Sequence, residues 1–348
     1  MRAAVLHAPE DLRVEEVPVP RPGPGEVLLR VRACGLCGTD HKIIAGRYPG
    51  VWPPEFPFII GHEWAGEVAA LGPGVTTLRV GDRVAAENHS GCGQCGMCRT
   101  GYYNLCERAD RRDPSYKLYG HTAPGALAEY AVRPAILLMP LPEQVSNVEG
   151  ALVNPGALAL HGLRRTGFHP GCSVAVFGPG VIGLLTVLFA RAAGAAQIIT
   201  VGRGERLSLA RELGSTDVVE YDAGDPAQGV RDATGGRGVD YVYECSGNPA
   251  AVAQAIGSAR RGGKVALLGL TGNKGVELNT DRLTLDQIDV LGVRSSPNMY
   301  PDTIALMASG AVRAERLATH RYPLERIGEA VEALRSRSMG AVRVIVEP

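Results

Sequence analysis

Four cysteines lie within one short run of the sequence, GCGQCGMCRTGYYNLC, residues 91–106. They are Cys92, Cys95, Cys98 and Cys106, separated by two, two and seven residues. The intervening glycines let such a loop curl until four thiolates converge tetrahedrally on one metal ion. Because four thiolates close the coordination shell, the site suits structure and not catalysis. We predict zinc here, and an iron–sulfur cluster is the alternative that four cysteines also allow.

A second group of residues offers three different donors. Cys37 stands in ACGLCGTDHK, and His62 and Glu63 are adjacent in IIGHEWAGEV. A thiolate, an imidazole and a carboxylate form a mixed set that can leave one zinc position open for a substrate oxygen. Cysteine and histidine alone are more often ordinary core residues. Together with the motifs below, the three residues predict a catalytic zinc.

A glycine-rich hexad, GPGVIG, follows the apolar segment SVAVF and opens an apolar helical segment. Gly178 permits a tight turn, Gly180 lets a pyrophosphate approach the backbone, and Gly183 allows close packing of helix on strand. Val181 and Ile182 begin the helix, whose N-terminus carries a partial positive charge. The hexad in this context predicts a nicotinamide dinucleotide site.

The choice of coenzyme depends on the next segment, IITVGRGERL. Gly202 stands where an acid normally binds the adenosine ribose, and Arg203 and Arg206 follow. A missing carboxylate and two guanidinium groups favour a 2′-phosphate, and hence NADP over NAD. The alternative is that both arginines are solvated at the start of a helix. We also predict cofactor contacts from Ser246 and Gly269, which follow later apolar segments.

The predicted secondary structure that holds these residues differs between the first part of the chain and the part after about residue 155. In the first part, short apolar segments such as EVLLRVRACGL alternate with proline and glycine clusters, which predicts a β-rich domain. From about residue 155, strand-like and helix-like segments alternate, which predicts an α/β domain with a doubly wound parallel sheet. We therefore predict a β-rich domain of residues 1–154 and 291–348, with a Rossmann cofactor domain of residues 155–290 inserted in it.

Composition narrows the class of protein. Thirty-six basic residues balance thirty-six acidic ones, so nothing indicates nucleic acid or an anionic membrane as a partner. The N-terminus has no apolar signal segment, and the most apolar stretch is too short to span a bilayer. We predict a cytoplasmic location, where disulfides rarely persist.

The ordered set CGLCGTD, GHEWAGEV, VGDRV, CGQCGMCRTGYYNLC and GPGVIG resembles the zinc-dependent medium-chain dehydrogenases. That family includes alcohol, polyol and threonine dehydrogenases, and the resemblance covers essentially the whole chain. It implies a chaperonin-10-like β domain, a Rossmann domain, and one catalytic and one structural zinc per chain. It also implies hydride transfer between a secondary alcohol and NAD(P), in a homodimer or homotetramer.

One departure from the family concerns the catalytic zinc. Where the family usually has a further cysteine or acid, in GALVNPGAL, this chain has Asn154. An amide oxygen can bind zinc but is uncharged and a weaker donor than a carboxylate. Either Asn154 is a weak or indirect ligand, or zinc relies on Cys37, His62, Glu63 and water.

A second departure concerns the path of the proton. Thr39 matches the hydroxyl that relays the alcohol proton in related enzymes. The relay often continues to a histidine five residues after the cysteine, but here Lys42 holds that place and His41 precedes it. His41 is either part of the relay or a surface residue.

The substrate class is open among polyols, sugars, aminocyclitols and β-hydroxy amino acids. ENHSGC, with His89, resembles threonine dehydrogenases, whereas Ile43 and Ser295 replace the tyrosine and arginine of sorbitol dehydrogenases. The alternative function is a catalytically silent, zinc- and cofactor-binding relic of the same fold.

Overall fold

The structure, a computed structural model, describes residues 1–109, 113–336 and 340–348. Its strands are β1 (Arg2–Ala8), β2 (Asp11–Glu16), β3 (Glu26–Leu36), β4 (Phe58–Ile59), β5 (Glu63–Leu71), β6 (Arg83–Ala86), β7 (His89–Ser90), β8 (Lys117–Leu118), β9 (Tyr130–Pro134), β10 (Leu138–Pro140), β11 (Ser173–Phe177), β12 (Gln197–Gly202), β13 (Asp217–Glu220), β14 (Val239–Glu244), β15 (Ala259–Leu267), β16 (Asp289–Gly292), β17 (Ala318–Pro323) and β18 (Arg343–Glu347). Its α-helices are α1 (Gly38–Ile44), α2 (Gly96–Arg99), α3 (Asn147–Thr166), α4 (Val181–Ala192), α5 (Glu205–Leu213), α6 (Pro226–Asp232), α7 (Pro249–Ser258), α8 (Thr280–Leu285), α9 (Tyr300–Ala308) and α10 (Ile327–Ser336).

The chain divides into two compact units. The first consists of Met1–Asn154 and Tyr300–Pro348, and the second consists of Pro155–Met299. The boundary expected at residue 290 falls inside β16, which pairs in parallel with β15. Because that strand is part of the sheet of the second unit, this unit continues to Met299. Across the described residues, no helix combines the length and the apolar character needed to cross a bilayer.

The first unit is built mainly from β-sheets. Its largest sheet has the order β10-β6-β5-β3-β18-β17, and β9 also pairs with β3. A smaller sheet has the order β2-β1-β4. β18 lies antiparallel to β3, so the C-terminal strand joins the sheet formed by the N-terminal part of the chain. Alternating side chains of β3 are buried, as expected for a strand with one face on the core.

The second unit is a six-stranded parallel sheet with crossover helices. Its order is β13-β12-β11-β14-β15-β16, and every pair of neighbours is parallel. This is the doubly wound order, in which the strand sequence reverses direction beside the first strand, here between β11 and β14. All five residues of β11 are buried, as expected for a central strand covered on both faces. In such sheets, ligands bind beyond the carboxyl ends of the strands at this reversal.

Candidate metal centres and cofactor site

The mixed donor set converges in the first unit. One donor atom from each of Cys37, His62 and Glu63 lies within 4.8 Å of the other two. Cys37 caps α1, and Glu63 begins β5 directly after His62. His62 Nε2 is 3.7 Å from Glu63 Oε1, and both side chains are buried. Sulfur, nitrogen and oxygen donors grouped in this way fit a zinc ion, which takes all three at about 2.0–2.3 Å.

Asp40 orients two of these three donors. Its Oδ1 atom is 3.3 Å from His62 Nδ1, and its Oδ2 atom accepts the Cys37 backbone N–H at 2.8 Å. With Nδ1 held by a carboxylate, Nε2 is the imidazole nitrogen left for a metal. Asp40 also completes a capping box at the start of α1. Burial opposes its ionisation, yet the contacts with His62 and the Cys37 N–H lower the pKa of Asp40.

Arg343, on β18, brings a positive charge to the carboxylate of Glu63. Its Nη1 atom is 3.0 Å from Glu63 Oε2 and donates to the Leu36 carbonyl at 2.5 Å. Burial alone would lower the pKa of Arg343, but the nearby Glu63 and Cys37 raise it. With Cys37 as thiolate and His62 neutral, as an imidazole that binds a metal must be, three anionic side chains (Cys37, Glu63 and Asp40) face one guanidinium. A divalent cation would therefore balance the buried charge of this site.

The imidazole of His62 is also in a setting that favours positive charge. Burial alone would lower the pKa of His62, but Asp40 and Cys37 raise it well above its usual value. The ring centroid of His121 lies 4.5 Å from that of His62 and 4.9 Å from that of Trp52. Burial lowers the pKa of His121 to about 3, so this second imidazole stays neutral. The centre thus has an anionic side and an uncharged aromatic side.

The predicted relay residues all lie on α1. The Thr39 backbone N–H donates to Cys37 Sγ at 3.5 Å. His41 Nδ1 accepts a hydrogen bond from Arg335 Nε on α10 at 3.1 Å. Burial and the charge of Arg335 lower the pKa of His41. Lys42 is the next residue and is half-buried.

Asn154 is held in one orientation by a tyrosine. Its Nδ2 atom donates to Tyr300 Oη at 2.8 Å, and that hydroxyl donates to the Ala86 carbonyl at 3.3 Å. Because the carbonyl can only accept, the tyrosine proton goes to Ala86 and the tyrosine oxygen accepts from the amide. Nδ2 of Asn154 therefore faces Tyr300, and Oδ1 faces away from it. Burial and the charge of Glu87, with a smaller effect of Glu63, raise the pKa of Tyr300 well above its usual value.

Glu87 connects this region to the four-cysteine loop. The Tyr103 hydroxyl, from the loop between Cys98 and Cys106, donates to Glu87 Oε1 at 2.7 Å. Glu87 is only 5% exposed, and burial raises its pKa to about 7. A carboxyl group that is costly to ionise thus contacts the cysteine loop through Tyr103 and acts electrostatically on Tyr300, the partner of Asn154.

The four clustered cysteines form a compact cage. Their sulfur atoms all lie within 4.8 Å of one another, with Cys92–Cys98 at 4.0 Å and Cys95–Cys106 at 3.9 Å. Four sulfurs at about 2.3 Å from a tetrahedral zinc are about 3.8 Å apart, whereas a disulfide needs about 2.05 Å. The spacing therefore fits a tetrahedral metal and excludes disulfides. A Cβ at Gly91 would lie 2.6 Å from Cys98 Sγ, so the cage needs glycine there.

Backbone donors prepare part of this cage for thiolates. The N–H groups of Cys98 and Glu107 each donate to Cys95 Sγ at 3.5 Å. These bonds lower the pKa of Cys95 to about 6, whereas burial raises the pKa of Cys98 to about 12. A bound cation would be needed to hold all four side chains as thiolates.

The glycine hexad forms the turn that the sequence predicts. Gly178 has φ +91°, and a Cβ there would lie 2.8 Å from Ser246 Cβ. A Cβ at Gly183 would lie 2.1 Å from the Gly178 carbonyl oxygen, so helix and turn are in close contact. A Cβ at Gly180 would meet no atom within 4 Å, which leaves the open space that a pyrophosphate needs. Val181 starts α4, whose first N–H groups lack partners within the helix.

Ser246 and Gly269 meet at a buried carboxylate. Glu244 is fully buried at the end of β14, and its side chain accepts from the backbone N–H groups of Ser246 at 2.8 Å and Gly247 at 3.1 Å. A Cβ at Gly269 would lie 2.7 Å from Glu244 Oε2 and 2.2 Å from the Gly247 nitrogen. Glu244 therefore fixes the loops after β14 and β15, beside the glycine turn.

Gly202 ends β12 and is buried. A Cβ there would lie 2.3 Å from Cγ of Pro179, inside the glycine turn. The acid that the sequence lacks at this position is therefore also excluded by packing. Arg203 follows, and Arg206 lies in the first turn of α5.

Four residues that contact the candidate site residues are not predicted by the motifs that predict the sites: Asp40, Arg343, Tyr300 and Glu244. Asp40 stands three residues after Cys37. This is the spacing of a capping box and indicates a hydrogen bond between the two residues. Arg343, Tyr300 and Glu244 reach their partners through the fold. The contact of Arg343 with Glu63 joins residues 280 positions apart, for which no local pattern exists.

Known families and proteins match nearly all of the chain. Residues 23–143 match the family described as "Alcohol dehydrogenase GroES-like domain", and residues 181–309 match "Zinc-binding dehydrogenase". A sorbitol dehydrogenase of Bacillus subtilis strain 168 is 37% identical, covering 100% of this chain and 97% of its own.

Two solved structures of similar proteins contain a nicotinamide cofactor, which is NADP in one and NADH in the other. A protein named as a zinc-binding dehydrogenase, from Sinorhizobium meliloti 1021, was solved bound to NADP and superposes with a TM-score of 0.92. It is 33% identical and is matched over 100% of this chain and 99% of its own. An alcohol dehydrogenase from Escherichia coli CFT073, in complex with NADH, has a TM-score of 0.91 and 26% identity over 100% of this chain and 99% of its own.

Proposed function

The chain belongs to the zinc-dependent medium-chain dehydrogenase family, and we propose that it oxidises a polar secondary alcohol to a ketone with NADP as its preferred hydride acceptor. The observation that carries this proposal is the buried set of Cys37, His62 and Glu63, whose mixed donors and net negative charge suit an open zinc site. The similarity to a sorbitol dehydrogenase supports a polyol or a related polyhydroxylated substrate. Sugars, aminocyclitols and β-hydroxy amino acids share the same chemistry.

Cys37, His62 and Glu63 would hold the catalytic zinc. When bound, zinc supplies Lewis-acid stabilisation of negative charge on the alcohol oxygen, and the nicotinamide accepts the hydride. Asp40 keeps His62 Nε2 available by holding Nδ1 at 3.3 Å, and Arg343 holds the Glu63 carboxylate at 3.0 Å. These two residues act through the ligands and are positioning residues.

Thr39 takes the proton of the substrate hydroxyl and passes it towards solvent. His41 is unsuited to receive it, because its Nδ1 lone pair is occupied by Arg335 and its Nε2 then carries the ring proton. Lys42, as an ammonium group, has no acceptor either. The proton therefore leaves from Thr39 to water, and His41 ties α1 to α10.

Asn154 supplies a neutral donor in place of the usual acid. Tyr300 accepts the amide N–H, so Oδ1 is the atom free to approach the metal. Glu63 is near enough to affect the pKa of Tyr300, which supports a position of Asn154 beside the donor set. An amide oxygen binds zinc less tightly than a carboxylate.

Cobalt substitution tests the role of Asn154 without relying on turnover. We expect Asn154→Ala to shift the visible absorption bands of cobalt at the mixed centre and to weaken metal retention against a chelator by about tenfold. Asn154→Asp should strengthen retention. Tyr300→Phe, which removes only the hydroxyl, should give a smaller shift of the same kind as Asn154→Ala. Identical spectra and retention in all variants would mean that Asn154 does not bind the metal.

We further propose one catalytic and one structural zinc per chain, in a cytoplasmic homodimer or homotetramer, as the family resemblance implies. A screen of polyols, sugars, aminocyclitols and β-hydroxy amino acids with NADP and NAD tests the function. We expect ketone formation from at least one class, faster with NADP. No turnover of any class, with metal only in the cysteine cage, would instead support the silent relic.

A further inference from the structure

Arg203, at the carboxyl end of β12, is already engaged by a second residue. Its Nη2 atom donates to Asp222 Oδ1 at 2.7 Å, and its Nε atom is 2.5 Å from Asp222 Oδ2. This is a two-pronged pair, in which both carboxylate oxygens meet adjacent guanidinium N–H groups. The guanidinium also lies over the ring of Tyr221, with Cζ 4.8 Å from the ring centroid.

Two acids of this region come from the end of the neighbouring strand and from the turn that follows it. Glu220 ends β13 and is in register with Gly202 on β12. Its Oε2 atom accepts the Gly204 backbone N–H at 3.3 Å. Asp222 follows two residues later, so both carboxylates stand beside the loop that follows β12. β12 has no acid at Gly202, and the carboxylate of Glu220 on β13 lies beside that position instead.

We propose that Asp222 is a coenzyme-specificity residue that competes with the 2′-phosphate of NADP for the guanidinium of Arg203. This inference rests on the proposed preference for NADP. The N–H groups that hold Asp222 are those that a phosphate monoester binds in the same two-pronged manner. A phosphate must therefore displace Asp222 and also approach its negative charge. NAD has no 2′-phosphate and can bind without displacing Asp222 from Arg203.

The exposure of the pair makes this exchange possible. The side chains of Arg203 and Asp222 are 59% and 63% exposed, so water and salt weaken their attraction. Exposed ion pairs contribute little to stability, and a ligand can break one at small cost. Tyr221 keeps its contact with the guanidinium plane while the N–H groups change partner. Asp222 therefore tunes the selectivity of Arg203 without abolishing phosphate binding.

Binding of nucleotide fragments isolates this effect from catalysis. The ligands are adenosine 2′,5′-bisphosphate and adenosine 5′-monophosphate, which differ only in the 2′-phosphate, and calorimetry on the full chain gives Kd. We expect Asp222→Asn to tighten the bisphosphate by about two- to fivefold, the range of an exposed ion pair, and to leave the monophosphate unchanged. Arg203→Ala should weaken the bisphosphate selectively. In the Arg203→Ala background the competition is gone and only the repulsion of the phosphate by Asp222 remains, so Asp222→Asn should give a smaller gain than in the wild type.

Asp281→Asn is the matched control, because it removes one exposed carboxylate in the first turn of α8, within the same unit. It should change neither Kd. If Asp222→Asn leaves bisphosphate affinity unchanged or weakens it while Arg203→Ala remains selective, the competition is wrong but the preference for NADP stands. If the wild type does not prefer the bisphosphate and Arg203→Ala affects both ligands equally, the proposed preference for NADP fails as well.

Discussion

The first unit holds two donor clusters, which are the four-cysteine cage and the mixed centre of Cys37, His62 and Glu63. They differ in donor type, in burial and in the groups that surround the donors. The cage offers four like donors from one loop of 15 residues, and three of its cysteines are partly exposed. The mixed centre offers three unlike donors from two segments, and His62 and Glu63 are buried. Around the cage, backbone N–H groups contact the sulfurs. Around the mixed centre, the Thr39 N–H also donates to Cys37 Sγ, but the side chains of Asp40 and Arg343 make the further contacts with the donors.

This difference indicates how each site fits its role. Four thiolates around one metal would leave no open position, and the loop that folds around them would gain its order from that metal. The mixed centre is held by hydrogen bonds and charges of the surrounding fold, so its geometry does not depend on the metal alone. Loss of the cage metal should therefore affect stability, and loss of the other metal should affect chemistry.

The largest expected effect is the loss of catalysis at the mixed centre. Cys37→Ala removes the thiolate donor of the mixed centre and should lower kcat by at least about a thousandfold, because zinc is then lost or misplaced. The cofactor site should be unaffected, since it lies in the second unit. Steady-state kinetics and a Kd for the coenzyme check both statements. Turnover near the wild-type rate would remove Cys37 from the catalytic site.

The second effect concerns the cage. Cys98→Ser removes one of the four sulfur donors of the cage and should cost about 3–5 kcal/mol of unfolding free energy, which lowers Tm by roughly 6–20 °C. Thermal unfolding followed by circular dichroism measures this shift. The coenzyme Kd serves as the control and should stay constant. A Tm equal to that of the wild type would show that the cage does not stabilise the fold.

The smallest effect concerns Glu87, which accepts a hydrogen bond from Tyr103 in the cysteine loop. Its folded pKa of about 7 exceeds the usual 4.5, so the folded state keeps a proton that the unfolded state loses. Stability should therefore fall as pH rises from about 4.5 to 7 and stay lowered above that range. Glu87→Gln keeps an acceptor for Tyr103 and removes the charge.

We expect Glu87→Gln to gain about 1–3 kcal/mol over the wild type at pH 8 and little at pH 4.5. Urea unfolding at both pH values measures the difference. Tyr103→Phe, which removes the hydrogen bond but not the acid, should keep the pH dependence. Equal stability of Glu87→Gln and wild type at pH 8 would contradict the burial of an ionisable carboxyl group.

Much of the architecture follows from local patterns. The segments EVLLRVRACGL and SVAVF coincide with β3 and β11, because alternating or continuous apolar runs bounded by glycine and proline define strands. The cysteine cage and the glycine turn were predictable for a related reason. Each is encoded in a few consecutive residues, and its glycines are required by close contacts at Gly91 and Gly183.

The surroundings of the mixed centre were less predictable. Arg343 reaches Glu63 only because β18 pairs with β3. Tyr300 contacts Asn154 although all residues of the second unit lie between the two in the sequence. The pair of Arg203 with Asp222 likewise depends on β12 and β13 lying side by side. Such contacts arise from sheet register, which a pattern within one segment does not contain.

The zinc content of three proteins tests the division of roles most directly. Mass spectrometry of purified wild type, Cys37→Ala and Cys98→Ser should give two, one and one zinc ions per chain. Cys37→Ala should also keep the Tm of the wild type within a few degrees, whereas Cys98→Ser should not. One zinc per chain in an active wild type, or two in Cys37→Ala, would contradict the account of a structural cage beside a separate catalytic centre.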